Sequence, residues 1–573
     1  MRKQTKIAAV VSAAALLALG ASITSFAAAK GTWMMVDGEW YCYDKNGDVY
    51  ENTFCSSNGK EYYVGDDGML VRSSWVDGDD GEMYFVNSSG AKITNDWRLT
   101  TPYEDEDADE EWFYFQSTGK RAENKKILYK GNTFFFDADG KMLTGWVTAN
   151  GTEVVNEEDD IDTDETFYCD ETGARVESAW VYTTAPATPD DAADEDEHWY
   201  YLKSSGKVAT GKQTNVKGQS FIFGNEDDSN RGQMLTGWVA AFDTDNDDKI
   251  NYYAEIDGET DALPVNAANI ENVYYCLYDE DKADGHIQKN KWIKAWRPTD
   301  AYNEDEDVDK YWYWVEKDGK VYIPEARIAQ VYKYGLGDGT LEVKNDGKPF
   351  DIAKKKINSK DYFFNMGGEM VNNFIEVVYS DKNPDNNNKK YIEEGMYYFG
   401  GSDDGSMKTG SQSVKDDNGD TFKFYFGTKD NSSSGEARGK GVTGNKNNKL
   451  YYMGHLVTAQ DWKYQPVWMD MNGNAEYDDA LFIVNQNGSI QHSEVAYKED
   501  GEVLIDAKVD VNGDGKIDSK DKVFYEEAGW YKYSVLDTAV DALDIDVDYI
   551  DPRSVMPVKP LEEVTISSGS KAK

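Results

Sequence analysis

The chain has 573 residues, with 107 Asp and Glu against 60 Lys and Arg, a formal net charge of −47. Such a field disfavours nucleic acid and anionic membranes as partners and favours cationic ligands and divalent metals. Aromatic residues make up 13% of the sequence and aliphatic ones are scarce, which argues against large aliphatic cores and suits many short aromatic hairpins.

Residues 1–29 read as a secretory signal peptide. Arg2, Lys3 and Lys6 form a positive leader and Ile7 to Leu19 an apolar run; Ser25-Phe26-Ala27 or Ala27-Ala28-Ala29 supplies a small-residue cleavage site. No later stretch is apolar enough to cross a bilayer, so the expectation is a secreted protein with no membrane span.

Over residues 30–322 one frame recurs. In "TFFFDADG", Thr133 to Gly140, a variable residue precedes three apolar or aromatic ones, three turn residues and a glycine. The same frame reads "WYCYDKNG" ending at Gly47, "EYYVGDDG" at Gly68, "MYFVNSSG" at Gly90 and "WFYFQSTG" at Gly119. It returns as "TFYCDETG" at Gly173, "WYYLKSSG" at Gly206 and "WYWVEKDG" at Gly319. Aromatic and β-branched residues favour strands, and a polar turn closed by glycine reverses the chain. Each copy therefore predicts a β-hairpin, and because one hairpin alone is marginal in water, the copies must stack. The predicted fold is all-β: an elongated solenoid of stacked β-hairpin repeats with acidic loop insertions at 104–111, 190–197 and 303–309.

Residues 323–360, with the lysine cluster "KPFDIAKKKINSK", carry little hairpin signal and predict an irregular spacer. A second array follows over 361–535, and the proline-bearing end, 536–573, reads as a flexible tail. Four cysteines are too few for a disulfide framework, though Cys42 and Cys55 could pair across neighbouring strands.

The stretch "GNTFFFDADGKMLTGW", Gly131 to Trp146, resembles the cell-wall-binding repeat of choline-binding proteins. It is also similar to repeats of streptococcal glucosyltransferases and large clostridial toxins, and "GQMLTGW", Gly232 to Trp238, repeats its second half. The resemblance implies a superhelix of β-hairpins with ligands held between consecutive hairpins. It also implies aromatic cages built from a glycine-preceded Trp and the first aromatic of the strand triplet. Trp146 and Trp238 match the first kind with glycine before them; Trp75, Trp97, Trp180, Trp296 and Trp462 match it with another residue before. The leading triplet position is Trp only at Trp40, Trp112, Trp199 and Trp312, so full cages are expected at few interfaces.

Alternation along a strand puts Trp112 and Tyr114 on one face and Phe113 and Phe115 on the other. The second and fourth positions are apolar in nearly every copy and are assigned to the core. The opposite face, with Trp199 and Tyr201 as a further example, is assigned to ligand. The candidate binding residues are Trp40, Trp97, Trp112, Tyr114, Trp146, Trp180, Trp199, Tyr201, Trp238, Trp296 and Trp312. The expected partner is a cell-wall polymer (choline-bearing teichoic acid, peptidoglycan or glucan), gripped multivalently by a protein held non-covalently at the cell surface. Catalysis is not expected: four scattered histidines, with no HExxH or GxSxG, offer no preorganised centre.

"DVNGDGKIDSKD", Asp510 to Asp521, resembles an EF-hand loop of the dockerin kind. Asp510, Asn512, Asp514, Asp518 and Asp521 would supply side-chain oxygens to a structural Ca2+, Lys516 its carbonyl, and Gly515 the sharp turn. In the acidic insertions, alternate acids such as Asp105, Asp107 and Asp109 offer another way to wrap Ca2+, a Coulombic attraction for a cationic ligand, or a solvated excursion. The alternative function this motivates is a Ca2+-stabilised surface scaffold or adhesin with a protein partner. It predicts a large fall in melting temperature with chelator and no response to choline or oligosaccharide; an unchanged melting curve removes it.

Overall fold

A tight turn and an aromatic strand fix each hairpin. Lys125–Tyr129 pairs with Asn132–Phe136 around Lys130 and Gly131, whose φ values of 48° and 90° are those of a turn matched to strand twist. After the second strand, the Asp137 carboxylate accepts the Lys141 N–H at 2.8 Å and the Asp137 carbonyl accepts that of Gly140 at 3.1 Å. That local bonding is why Asp or Asn so often opens the polar turn.

The computed structural model describes residues 28–532 except Glu106 and the segments 151–152, 155–164, 187–195, 226–229, 244–248, 251, 257–269, 278–283, 299–308, 381–391, 430–436, 460–463, 470–479, 491–496, 500–501 and 506–530. The signal-peptide segment 1–27, Trp462, the Asp510–Asp521 loop, the tail 536–573 and most of the second and third acidic insertions thus lie outside the described residues. The chain divides into two compact units, residues 1–216 with 222–234 and residues 217–221 with 235–573. Nearly all of their regular structure is β, built largely of antiparallel hairpins. Among the described residues no helix is long and apolar enough to cross a membrane.

Hairpins are joined by a backbone staple. Two residues past the glycine, Met142 N–H donates to the Trp112 carbonyl of the preceding hairpin at 2.9 Å, and Leu143 N–H returns to Phe135 of its own hairpin at 2.9 Å. In the first unit the same inter-hairpin bond joins Arg121 to Met83 (2.9 Å), Arg175 to Thr133 (2.8 Å), Val208 to Thr166 (3.0 Å) and Met234 to Trp199 (2.8 Å). In the second it joins Val321 to Val273, Met370 to Trp312 (both 2.8 Å) and Met407 to Asp361 (2.9 Å). The acceptor is the leading residue of the frame. Its carbonyl carries the staple, which leaves its side chain free to be Trp, Met, Thr, Val or Asp.

Residues 323–360 are not an irregular spacer. Ala329–Gly337 and Thr340–Val343 form an extra hairpin, and the lysine cluster lies in Phe350–Ile357, which pairs with Lys360–Asn365 in a hairpin of the ordinary frame. The charges hid the strand from a hydrophobicity reading. Lys354 reaches Asp361 at 3.3 Å, and Lys355 pairs with Glu316 and lies over the Tyr322 ring at 3.8 Å. The Trp312–Met370 staple carries the array through this region. Cys42 and Cys55 are buried free thiols in mutual hydrogen-bond contact rather than a disulfide, and burial pushes both upward in pKa.

In the first unit the core is distributed over the interfaces as small clusters, such as Phe135, Val147, Ala149, Phe167 and Cys169, or Tyr200, Leu202 and Val208; the second unit has larger ones, the largest running from Tyr332 to Ile490. The side chain two past one glycine covers the next glycine. A Cβ on Gly173 would lie 2.3 Å from Sδ and 2.7 Å from Cγ of Met142, and Gly173 has φ of 77°. Alanine there meets left-handed strain and overpacking together, so Gly173→Ala is expected to destabilise the fold by about 2–3 kcal/mol. Chemical denaturation measures this; an unchanged midpoint would refute the stacking contact.

Candidate aromatic ligand sites

Two positions set the outer chemistry of each hairpin: the first-strand residue opposite the third residue of the frame, and the leading residue itself. Trp33 with Trp40, Trp97 with Trp112, Trp180 with Trp199 and Trp292 with Trp312 are pairs in which both are tryptophan. Trp75 with Met83, Trp146 with Thr166 and Trp238 with Val273 carry tryptophan on the first strand only. Phe54 with Glu61, Lys126 with Thr133 and Lys354 with Asp361 carry it at neither position. In chain order the kinds succeed one another in threes: double tryptophan, none, single, and then again, with the tryptophan-free hairpin Gly211–Val216 and Gln219–Phe223 standing between the Trp180–Trp199 and Trp238 hairpins. A three-hairpin repeat is therefore superimposed on the single-hairpin one.

The single tryptophans are struts. Trp75 Nε1–H donates to the Thr101 carbonyl at 2.9 Å, Trp146 Nε1–H to Thr184 at 2.8 Å and Trp238 Nε1–H to Trp296 at 2.9 Å, in each case on the next hairpin. Trp146 is half-buried and spends its indole N–H on the neighbouring hairpin, and Trp238, also assigned to ligand from sequence, does the same from inside the core. Trp238 is 2% exposed and Trp296 8%, so neither presents a ring face to solvent. The strand tryptophan of that hairpin is Trp292, which sequence reasoning missed along with Trp33. A signal was present: Asn290 stands two residues before Trp292 with φ of 50°, as Asn95 does before Trp97 (53°) and Ser178 before Trp180 (50°).

Two of the four double tryptophans form right-angled pairs. Trp97 and Trp112 have centroids 6.4 Å apart with planes at 84°; Trp180 and Trp199 repeat this at 6.5 Å and 87°. Tyr129 of the following hairpin closes on Trp97 at 5.9 Å, and Tyr182 lies 5.0 Å from Trp199. Trp112 and Tyr182 are exposed. The third-position residue is a floor rather than a ligand face. Tyr114 is 4% exposed and donates its hydroxyl to Asn95 Oδ1 at 2.7 Å, and burial pushes its phenol upward in pKa. Tyr201 sits 5.1 Å from Trp180 in the corresponding place. Trp40 and Trp312 are half-buried and give their carbonyls to Leu70 and Met370.

The first acidic insertion is moored beside Trp112. Glu104 pairs with the nearly buried Arg121 at 3.0 Å, and Arg121 also meets Glu123 at 2.7 Å and the Trp75 ring at 5.5 Å. Burial alone would raise the Glu104 carboxyl, but its hydrogen bonds from Arg121 hold it below the usual range. Asp105 accepts the Asp107 N–H at 3.1 Å. Among the described residues Asp105, Asp107 and Asp109 do not converge as a metal site.

No family model matches the chain. Glucosyltransferase-I of Streptococcus downei is 26% identical over 398 residues, 65% of this chain and 21% of that protein. Glucosyltransferase-S of Streptococcus mutans is 24% identical over 240 residues, 42% of this chain and 14% of that protein. The chain thus spans about a fifth or less of the length of these relatives. Among solved structures, the modular autolysin LytC of Streptococcus pneumoniae is 17% identical (TM-score 0.30, 59% of this chain and 52% of that one). Choline binding protein F of the same species is 15% identical (TM-score 0.29, 66% and 99%). The repeats are similar in sequence to those of streptococcal glucosyltransferases.

Within the repeats, strut and double tryptophans respond differently to substitution. Trp146→Phe removes the indole hydrogen bond to the Thr184 carbonyl and should lower stability by about 0.5–1.5 kcal/mol. Trp112→Phe should leave it unchanged, because only the Trp112 carbonyl holds the stack. Equal losses in denaturant titrations would overturn the division.

Proposed function

We propose that this protein is a non-catalytic binder of a cell-wall polymer or extracellular glycan, exported and held non-covalently at the cell surface. The carrying observation is the recurrence of one right-angled tryptophan pair, Trp97–Trp112 and Trp180–Trp199, with nearly the same separation and angle at hairpins three apart. Two perpendicular indoles offer a cation two ring faces, each worth about 0.5–2 kcal/mol, and offer a sugar ring a stacking platform. Such a site is weak alone. Repetition along one stack raises avidity by about 10²–10⁴ when the spacing fits the polymer. The named relatives, glucosyltransferases and a choline binding protein, support this class of partner. A structural Ca2+ in the Asp510–Asp521 loop belongs to the same reading as a stabiliser of the C-terminal array.

The test is sedimentation of the full chain with purified walls or α-glucan, competed with choline or oligosaccharide. Trp112→Ala combined with Trp199→Ala is expected to lower retention at least tenfold while leaving the melting temperature within a few degrees. Undiminished retention by a folded double variant would sink the proposal, and the effective competitor identifies the polymer's chemistry.

A further inference from the structure

In each double-tryptophan hairpin, one first-strand residue stands directly across from the leading Trp. It is Met35 opposite Trp40, Leu99 opposite Trp112, Tyr182 opposite Trp199 and Lys294 opposite Trp312. Three of the four are neutral. The fourth brings its own cation: Lys294 Nζ lies 5.6 Å from the Trp312 ring centroid, inside the range of a cation–π contact. Asp403, from the turn between Gly400 and Gly405, closes the group. Its Oδ1 accepts from Lys294 Nζ at 2.8 Å and from Trp312 Nε1–H at 2.9 Å. The hydrogen bonds from Lys294 and Trp312 hold the Asp403 carboxyl below its usual range, so its charge stays in place across neutral pH.

We infer that Trp312 is a ligand face occupied by the chain's own ammonium group, and that the residue opposite the leading Trp decides whether a double-tryptophan hairpin accepts an external cation. The inference rests on the proposed binding of cationic or glycan groups at these pairs. Lys294 is about half exposed, so its ion pair with Asp403 adds little stability. Its advantage is tethering: a group held on the same hairpin competes at an effective concentration on the order of millimolar, which matches or exceeds a weak free ligand. Asp403 raises that advantage by fixing the ammonium and the indole edge with one carboxylate. Leu99 and Tyr182 present no charge, and Tyr182 adds a ring. The site in this chain with a bound cation already built in is therefore closed, and the neutral ones are open.

Equilibrium dialysis of the full chain against labelled choline counts the sites. Lys294→Leu, which copies the Leu99 environment, is expected to bind one more choline per chain than the unsubstituted protein, and Lys294→Arg no more. Adding Trp312→Ala to Lys294→Leu should abolish the extra site, which separates a newly opened face from a general loosening. Choline binding by the unsubstituted chain with no increment in Lys294→Leu overturns the inference alone; the surface ion pair would then have no bearing on ligand. Absence of choline binding by every form overturns it together with the cationic version of the proposed function.

Discussion

The fold depends on one backbone hydrogen bond, repeated at interface after interface: the N–H two residues past a turn glycine, given to the carbonyl that opens the preceding hairpin's second strand. A hairpin by itself has too little to bury. The staple adds a third edge to each hairpin and seats the side chain that covers the next glycine, as Met142 covers Gly173. Hydrogen bonding and packing thus close the same interface. Because the bond uses main-chain atoms, neighbouring hairpins with very different outward side chains stack in the same way.

That separation of structure from surface is what makes a binding array feasible. The leading residue is Thr133 in one hairpin, Asp361 in another and Trp112 in a third, all with their carbonyls engaged. The leading position is free to vary, while the strut tryptophans, with Nε1–H bonds across to the following hairpin, tie down three of the four double-tryptophan hairpins. Trp75 precedes Trp97 and Trp112, Trp146 precedes Trp180 and Trp199, and Trp238 precedes Trp292 and Trp312. Three of the four double-tryptophan hairpins are therefore preceded by a hairpin bonded to them through an indole, which limits how far each can rotate against its neighbour.

The hairpins were legible in sequence because their signals are local: an aromatic triplet, a polar turn and a glycine within eight residues. The leading tryptophans were legible for the same reason. What escaped were properties that belong to the partner hairpin. Trp146 and Trp238 look like ligand residues by their preceding glycine, yet their indoles are spent on carbonyls about 40 and 60 residues away, a relation that no local pattern displays. Tyr114 alternates correctly with Phe113, but the next hairpin covers its face, so period-two reasoning about a single strand underestimates burial in a stack. Lys354 to Lys356 read as a spacer because charge was taken for exposure, whereas long lysine stems lie along a strand and carry their charge to Asp361 and Glu316.

The placement of charge follows from which end of a hairpin is free. The glycine-turn end is committed to the staple; among the described residues the opposite end, between the two strands, bears no inter-hairpin backbone bond of that kind and tolerates insertion. The described acidic insertion lies there, between Asp96–Thr100 and Glu111–Phe115, moored by Glu104 to Arg121. Glu111 directly precedes Trp112, so the insertion puts acids beside the exposed indole. Screening confines each charge to about 8 Å at physiological salt, so the net charge of −47 does not act on any one site as a whole. Each aromatic face responds to the few charges within reach. The environment of the Trp312 indole is then set by Lys294 and Asp403 beside it, and that of Trp112 by the acids of its own insertion.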